Sequence, residues 1–307
     1  MHKPNNNQLN TKESQLLIGL VFLSIAAIYY YSMRILLVLA TSVLVSVFAD
    51  FLCVMARKQK YYLHDTSAVY SGLALGLLMP EGIPLYIAGT AAFISITVGK
   101  QCFGGRGSSV FNPIAVGYVF ALVTYKTQML SFGAGSVSVY KSLSMGVLPA
   151  ISLKDAFIGS SVGAVGTTSI LITVIMGVAF SVGKIISGKM IFTFTALYFV
   201  LSAVFPLASD YPIRGALYEL CSGAVLFTVI FIANYPSHCP CRSKALYGAV
   251  LAVTAIIFSR ISDMENTVLF AVLVSDILTD SVENAARRIY KRIHSYMSVE
   301  YDPKGSI

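Results

Sequence analysis

The residues best suited to chemistry lie in one short segment, Gly104-Gly-Arg-Gly-Ser-Ser-Val-Phe-Asn-Pro-Ile-Ala-Val-Gly-Tyr118. Gly104, Gly105 and Gly107 surround Arg106, and they permit backbone conformations closed to other residues and close approach of a bound group. Asn112 and Pro113 then read as a helix cap followed by a first-turn proline. Amides at such a helix start, beside the Arg106 guanidinium, suit an anion such as a phosphate. The same spacing also serves a tight loop between two helices, and spacing alone leaves both readings open.

Two further groupings carry chemistry. His238-Cys-Pro-Cys241 offers an imidazole and two thiols, three of the four ligands that zinc or a cluster iron takes, with Cys102 in another loop as the remaining thiol. So short a spacing without an evident fourth ligand favours free cytosolic thiols over a metal site. Among carboxylates, Asp50, Asp276 and Asp280 sit near the ends of apolar runs, Asp65 precedes a short one and Glu219 lies early in another. Intramembrane carboxylates bind sodium or relay protons, whereas carboxylates near a span's end also serve as caps or snorkel to water. The histidines, His2, His64, His238 and His294, all fall in termini or loops, which argues against haem ligation. No Ser, His and Asp residues group as a hydrolase would need. Five cysteines, an odd count without secreted-domain spacing, argue against a disulfide framework.

The elements that must position these residues are membrane helices. The chain is 56% hydrophobic and only 12% charged, with a mean hydropathy of +0.74; a soluble domain carries roughly twice that charge. Apolar runs recur at about 16–31, 35–56, 66–79, 84–99, 110–125, 156–182, 188–205, 216–234, 245–259 and 267–280. A full span needs ~20 residues, so the shorter runs predict broken, re-entrant or tilted helices inside a bundle. The spacing predicts an all-α polytopic membrane protein with about ten transmembrane helices over 16–280. Residues 1–15 read as a retained polar tail rather than a secretory leader.

Charge fixes an expected orientation. With the N-terminus inside, only Arg34, Lys126, Lys141, Lys154, Arg214 and Arg260 fall in outer segments, and the other 16 of the 22 Lys and Arg residues fall inside. Both termini are therefore expected to be cytoplasmic. The net charge of +8 is then chiefly a topology signal with some attraction to anionic lipid, and no clustered basic domain points to nucleic acid. Residues 281–307 form a tail in which Val282, Ala285, Ile289 and Ile293 recur at helical spacing among Arg287, Arg288, Lys291 and Arg292. That pattern predicts a basic amphipathic helix at the lipid headgroups. The polar interval 126–154, on the outer side by this count, is long for a simple connection.

The halves 16–125 and 156–280 correspond loosely. The third run ends in Met79-Pro-Glu-Gly-Ile-Pro84 and the eighth in Asn234-Tyr-Pro-Ser-His-Cys-Pro240. Proline-interrupted spans at matching places in two halves point to a central site, although a proline also simply ends a helix. Five spans per half would make the two repeats inverted.

The Gly104–Tyr118 segment resembles the glycine-rich, Phe-Asn-Pro-Ala, Gly-Tyr segment of the D-type component of Rnf electron transport complexes, and of the homologous B-type component of the sodium-pumping NADH:quinone reductase. Phe157-Ile-Gly-Ser-Ser-Val-Gly-Ala-Val-Gly-Thr-Thr-Ser169 and Thr267-Val-Leu-Phe-Ala-Val-Leu-Val-Ser275 resemble two further blocks of that family. The resemblance covers about residues 65–290. It implies two inverted five-helix repeats, similar to urea transporters, in a multisubunit translocase of the inner membrane. Such a complex passes electrons between ferredoxin or NADH and a second carrier while moving sodium or protons. It further implies flavin, as FMN or riboflavin, with FMN tethered through its phosphate to a threonine of a Ser-Gly-Ala-Thr motif. Here Gly135-Ser-Val-Ser138 occupies that place, with Ser138 in the threonine position, and Gly104, Gly105, Arg106, Asn112 and Pro113 would shape a turn at the central cavity. Ala233-Asn-Tyr-Pro236 stands where the family commonly has Ala-Thr-Asp-Pro, and Gly166-Thr-Thr-Ser169 lacks the glutamate of Gly-Glu-Thr-Ser. The resemblance is thus to a divergent member, and a transporter or scaffold of the same fold without covalent flavin is the competing expectation.

Overall fold

In the computed structural model, residues 6–58, 65–131, 138–158, 163–167, 170–208, 211–222, 224–236, 243–262 and 264–300 are described. Among them the chain is all-helical, without strands. The first half holds α1 (Asn6–Tyr30), α2 (Met33–Ala56), α3 (Ser67–Leu77), α4 (Leu85–Ile94) and α5 (Pro113–Thr124). A π-helical segment, Ser95–Gln101, continues α4. Three short helices follow: α6 (Lys126–Met129), α7 (Val139–Ser144) and α8 (Leu153–Ile158). The second half holds α9 (Ile170–Val182), α10 (Gly188–Val204), α11 (Pro212–Cys221), α12 (Val225–Phe227), α13 (Lys244–Ile261) and α14 (Val268–Glu300). A second π segment, Thr228–Ile232, continues α12.

These helices are built for lipid. In α2 the outward positions are Leu36, Leu37, Leu44 and Phe48, while Ser42, Ser46 and Asp50 are buried. Water would favour the reverse; hydrocarbon accepts leucine outside and drives polar groups toward protein partners. Asn10–Tyr30, Met33–Ala56 and Lys244–Ile261 are each long and apolar enough to cross a bilayer, and Pro212–Cys221 with Val225–Ile232 forms a fourth candidate bent by 57°. Ser67–Leu77, Pro113–Thr124, Ile170–Val182 and Gly188–Val204 are apolar but shorter. The molecule is thus a multi-pass membrane protein with several short or broken helices, as the short apolar runs predicted.

The halves pack alike. In the first, α2 packs on α3 and α4, and α4 with its π extension packs on α5; in the second, α10 packs on α11 and α13, and α13 packs on α14. Helices α5 and α14 meet across the halves. Small residues allow the closest approaches, as expected where lipid supplies no hydrophobic drive between helices. A Cβ on Gly117 of α5 would lie 2.6 Å from the Ala91 carbonyl oxygen of α4. Gly117→Ala should therefore cost about 1–3 kcal/mol, measured as a drop in thermal midpoint in detergent. Gly82→Ala is its control, since nothing lies within 4 Å of a Cβ there. Equal midpoints for both variants would refute the close contact.

Two sequence expectations take a different form. Among its described residues the interval 126–154 is partly helical, and α7 and α8 pack on α11 through a small separate core of Val139, Leu143, Ala156, Ala208 and Tyr218. The expected tail helix is not a separate element, because α14 runs on without a break to Glu300. Ser281-Val-Glu-Asn-Ala-Ala-Arg-Arg contains no Gly or Pro to stop it. The side chains of Asp280, Arg287, Ile289, Lys291, Arg292 and Ile293 lie outside the described residues.

Candidate functional site

The glycine-rich loop is made by its glycines. Gly104, Gly105 and Gly107 have φ of 106°, 92° and 72°, a region that favours glycine. Their amides are spent on the preceding helix: Gly104 N–H donates to the Gln101 carbonyl at 3.2 Å and Gly105 N–H to the Lys100 carbonyl at 3.1 Å. The turn thus closes the end of the π segment, and these two amides do not offer a free anion nest.

Arg106 leaves this turn to meet Glu13 and Asn10 of α1, with Asp65 at 3.5 Å. It belongs to a larger charge cluster. The Lys100 ammonium bridges Asp50 at 2.9 Å and Asp65 at 3.2 Å. Gln101 donates to Asp50, and the Arg57 guanidinium donates to the Gln101 carbonyl and side-chain oxygen. Glu13, Asp50 and Lys100 are 0%, 2% and 3% exposed. Burial raises the Asp65 carboxyl, but Lys100, the hydrogen bonds from Ser67 and Arg106 outweigh it, and the carboxyl ends below its usual range. Every acid here has a cation or a donor.

Asn112 does what the sequence predicted and more. Its Oδ1 accepts from Ile114 N–H at 3.1 Å, capping α5, with Pro113 in the first turn. Its Nδ2 donates to the Ile232 carbonyl at 2.7 Å, where the π segment after α12 ends. Its backbone N–H donates to Asp276 Oδ2 at 2.9 Å, and the Tyr247 hydroxyl donates to Asp276 Oδ1 at 2.7 Å. The anion at this helix start is the protein's own Asp276.

A counterpart occurs at the start of α14. Asn266 Oδ1 accepts from Ala224 N–H at 2.8 Å, at the start of α12, and its Nδ2 donates to the Tyr118 hydroxyl of α5 at 2.8 Å. Contacts of Asn266 with Tyr118 and of Asp276 with Asn112 make α5 and α14 antiparallel. The parallel between Asn112-Pro113-Ile114 and Asn266-Thr267-Val268 was present in the sequence and is a signal that motif reading passed over.

Toward the opposite end from Lys100 lies Glu265, in the turn between α13 and α14, 5% exposed. Burial pushes its carboxyl up to about 7, opposed by a hydrogen bond with Ser138. Ser138, itself 6% exposed, caps α7 by accepting from Lys141 N–H at 3.3 Å. Nearby, Arg260 is engaged by Glu219 at 3.0 and 3.1 Å and by the Phe205 carbonyl at 2.6 Å.

The five residues expected at the turn by a central cavity occupy two places, Gly104, Gly105 and Arg106 at the charge cluster and Asn112 and Pro113 at the junction of α5 and α14, while Ser138, the expected tether, lies beside Glu265. Gly135, Ser136 and Val137, and likewise His238, Cys239 and Cys241, lie outside the described residues. Among the described residues no group of three His, Cys, Asp or Glu side chains is placed to hold a metal. Sequence reasoning flagged Asp50, Asp65, Asp276 and Glu219 but missed Glu13, Lys100, Gln101 and Glu265, whose partners come from distant helices.

The sequence is similar to that of the D-type component of the ion-translocating oxidoreductase complex of Shewanella piezotolerans, 24% identical over 303 residues, covering 84% of this chain and 87% of that protein. The corresponding component from Methanosarcina acetivorans is 25% identical over 274 residues, covering 87% of this chain and 86% of that protein. That of Shewanella sediminis is 27% identical over 289 residues, covering 80% and 83%. Residues 1–291 match one family along nearly the whole chain, and the chain belongs to the NQR2, RnfD, RnfE family.

Proposed function

We propose that this chain is the D-type membrane component of an ion-translocating oxidoreductase complex, passing electrons through flavin between ferredoxin or NADH and a second carrier while sodium or protons move. The match over residues 1–291 carries this reading, and relatives named as the D-type component of such a complex support it. Its partners are the complex's other subunits, and its place is the inner membrane with both termini in the cytoplasm. The alike packing of the two halves, and the paired asparagines starting antiparallel α5 and α14, support ten spans arranged as two inverted five-helix repeats.

Flavin enters through the family resemblance, with Ser138 as the tether. The surroundings of Ser138 do not fit a phosphoester as they stand. Its hydroxyl is buried, caps α7 and bonds to the Glu265 carboxyl, so a phosphate there would meet a carboxylate without a cation. That observation favours a second reading for the cofactor, in which the chain keeps its place in the complex without covalent flavin at Ser138.

Affinity purification of the full chain from its native membrane tests both. The D-type reading expects electron-transfer subunits to co-purify; their absence from intact, folded protein would refute it. Fluorescent flavin retained after denaturation, and abolished by Ser138→Ala, would establish the tether. Given the buried hydroxyl, flavin is expected to separate from the denatured chain, and Ser138→Ala to leave flavin content unchanged.

A further inference from the structure

The two ends of the bundle balance charge differently. At the Lys100 end, Asp50, Asp65 and Glu13 are met by Lys100 and Arg106. At the other end, Arg260 is committed to Glu219. Among the described residues no cation pairs with Glu265, although only 5% of that residue is exposed. A buried carboxylate without a counter-charge is costly, and it is relieved by a proton or by a bound cation.

Beside Glu265 is a cavity of about 20 Å³, lined in part by Tyr140, Tyr198, Ser222, Ser259 and Thr267. A space of ~10–15 Å³ already holds one water, so this one admits a single small species. Its lining offers oxygen lone pairs. The Ser222 hydroxyl donates its proton to the Glu219 carbonyl at 2.9 Å. The Tyr140 hydroxyl donates toward the Ser259 and Ser262 carbonyls, each at 2.9 Å. Ser259 Oγ accepts from Arg260 at 3.0 Å. Ser222 and Tyr140 both line the cavity and bring oxygen, the ligand atom that hard cations prefer. A single carboxylate balances one positive charge, which disfavours a divalent ion.

We propose that this cavity is an occlusion site for one monovalent cation, a proton or a dehydrated sodium ion, with the Glu265 carboxyl as its anionic group and the oxygens of Ser222 and Tyr140 beside it. The proposal rests on the ion-translocating reading of the family, and it needs no flavin. The titratable groups that share the cavity lining with Glu265 are Tyr140 of α7 and Tyr198 of α10, and Tyr118 of α5 lies close enough to feel the Glu265 charge. Glu265 is the one carboxyl among the residues that line this cavity. Its carboxyl, pushed up to about 7 by burial, is poised to exchange a proton for another cation at physiological pH.

The test is carbodiimide labelling of the full chain in lipid nanodiscs, since a hydrophobic carbodiimide attacks protonated carboxyls in apolar surroundings. Modification is located by mass spectrometry on the tryptic peptide Ile261–Arg287. In choline chloride, labelling of Glu265 should fall as pH rises through neutrality. Sodium competing for the carboxylate should lower the half-labelling pH by about one unit per tenfold rise in concentration. Ser222→Ala should raise the sodium needed for a given shift about tenfold. A sodium-dependent shift identifies a sodium site. A neutral midpoint indifferent to sodium identifies a proton site. Labelling of Glu265 that is absent at every pH, or constant across pH and sodium, overturns the proposal. If the same preparation still carries its electron-transfer subunits, that result leaves the assignment to the complex intact.

Discussion

Replacing Asn112 with alanine should destabilise the protein by roughly 2–4 kcal/mol, the sum of a lost helix cap and a buried carbonyl left without its donor. The residue is 0% exposed, and its side chain serves two elements far apart in sequence. Losing Oδ1 leaves Ile114 N–H unpaired at the start of α5, and losing Nδ2 leaves the Ile232 carbonyl unpaired at the end of the second π segment. Hydrogen bonds between membrane helices average only about 0.6 kcal/mol when measured as pairs. The larger figure applies here because a partner, not a pair, is removed and no water reaches the site. Asn112→Asp sharpens the test. It keeps the cap but replaces the donor to Ile232 with an acceptor, beside the Asp276 carboxylate, so it should cost at least as much as alanine. Asn266→Ala removes the matching contacts to Ala224 and Tyr118 and should fall within about 1 kcal/mol of Asn112→Ala if the halves are equivalent. Denaturation in mixed micelles measures all three. An Asn112→Ala midpoint equal to wild type would mean that these two bonds do not hold the halves together.

The sequence disclosed elements better than partners. Apolar runs placed the helices because burial in lipid is a local property of the residues. Asn112-Pro113 announced the start of α5 for the same reason, since capping involves residues only two apart. The glycines at 104, 105 and 107 announced a turn, and the φ values agree, but not its use: their amides close the π segment instead of facing a ligand. That choice depends on a helix continuing to Gln101, which the apolar run ending near 99 did not reveal. The anion expected at α5 is present, yet it is Asp276, 164 residues away. Nothing local marks Asp276 as the partner of Asn112, because antiparallel contact between α5 and α14 depends on how the two halves assemble. Glu265 was overlooked for a related reason. It sits in a short turn where a carboxylate ordinarily faces water, and only the packing of α7, α10 and α13 around it removes that water.

The charge cluster at the other end shows what such assembly does to energies. Lys100→Met should destabilise by about 3–5 kcal/mol, because it leaves Asp50 buried with its charge uncompensated. Gln101 still donates to Asp50, but a neutral donor offsets only part of the cost of a carboxylate in hydrocarbon. Removing both charges differs in kind from removing one. Asp50→Asn with Lys100→Met leaves a neutral pair of similar volume, and such replacements are often neutral or stabilising. The double variant should therefore recover at least half of the loss, a coupling of roughly 2 kcal/mol between residues 2.9 Å apart. Strict additivity of the two single changes would mean that the pair is not coupled. The contrast with Glu265 decides what each end is for. Where Lys100 and Arg106 pair with Asp50, Asp65 and Glu13, the carboxylates fasten α1, α2, the turn before α3 and the glycine loop to one another. At the other end Arg260 is held by Glu219, and among the described residues no cation pairs with the buried Glu265 carboxyl. Asp50→Asn with Lys100→Met should accordingly leave carbodiimide labelling of Glu265 unchanged, which separates a fastening role at one end from an exchange role at the other.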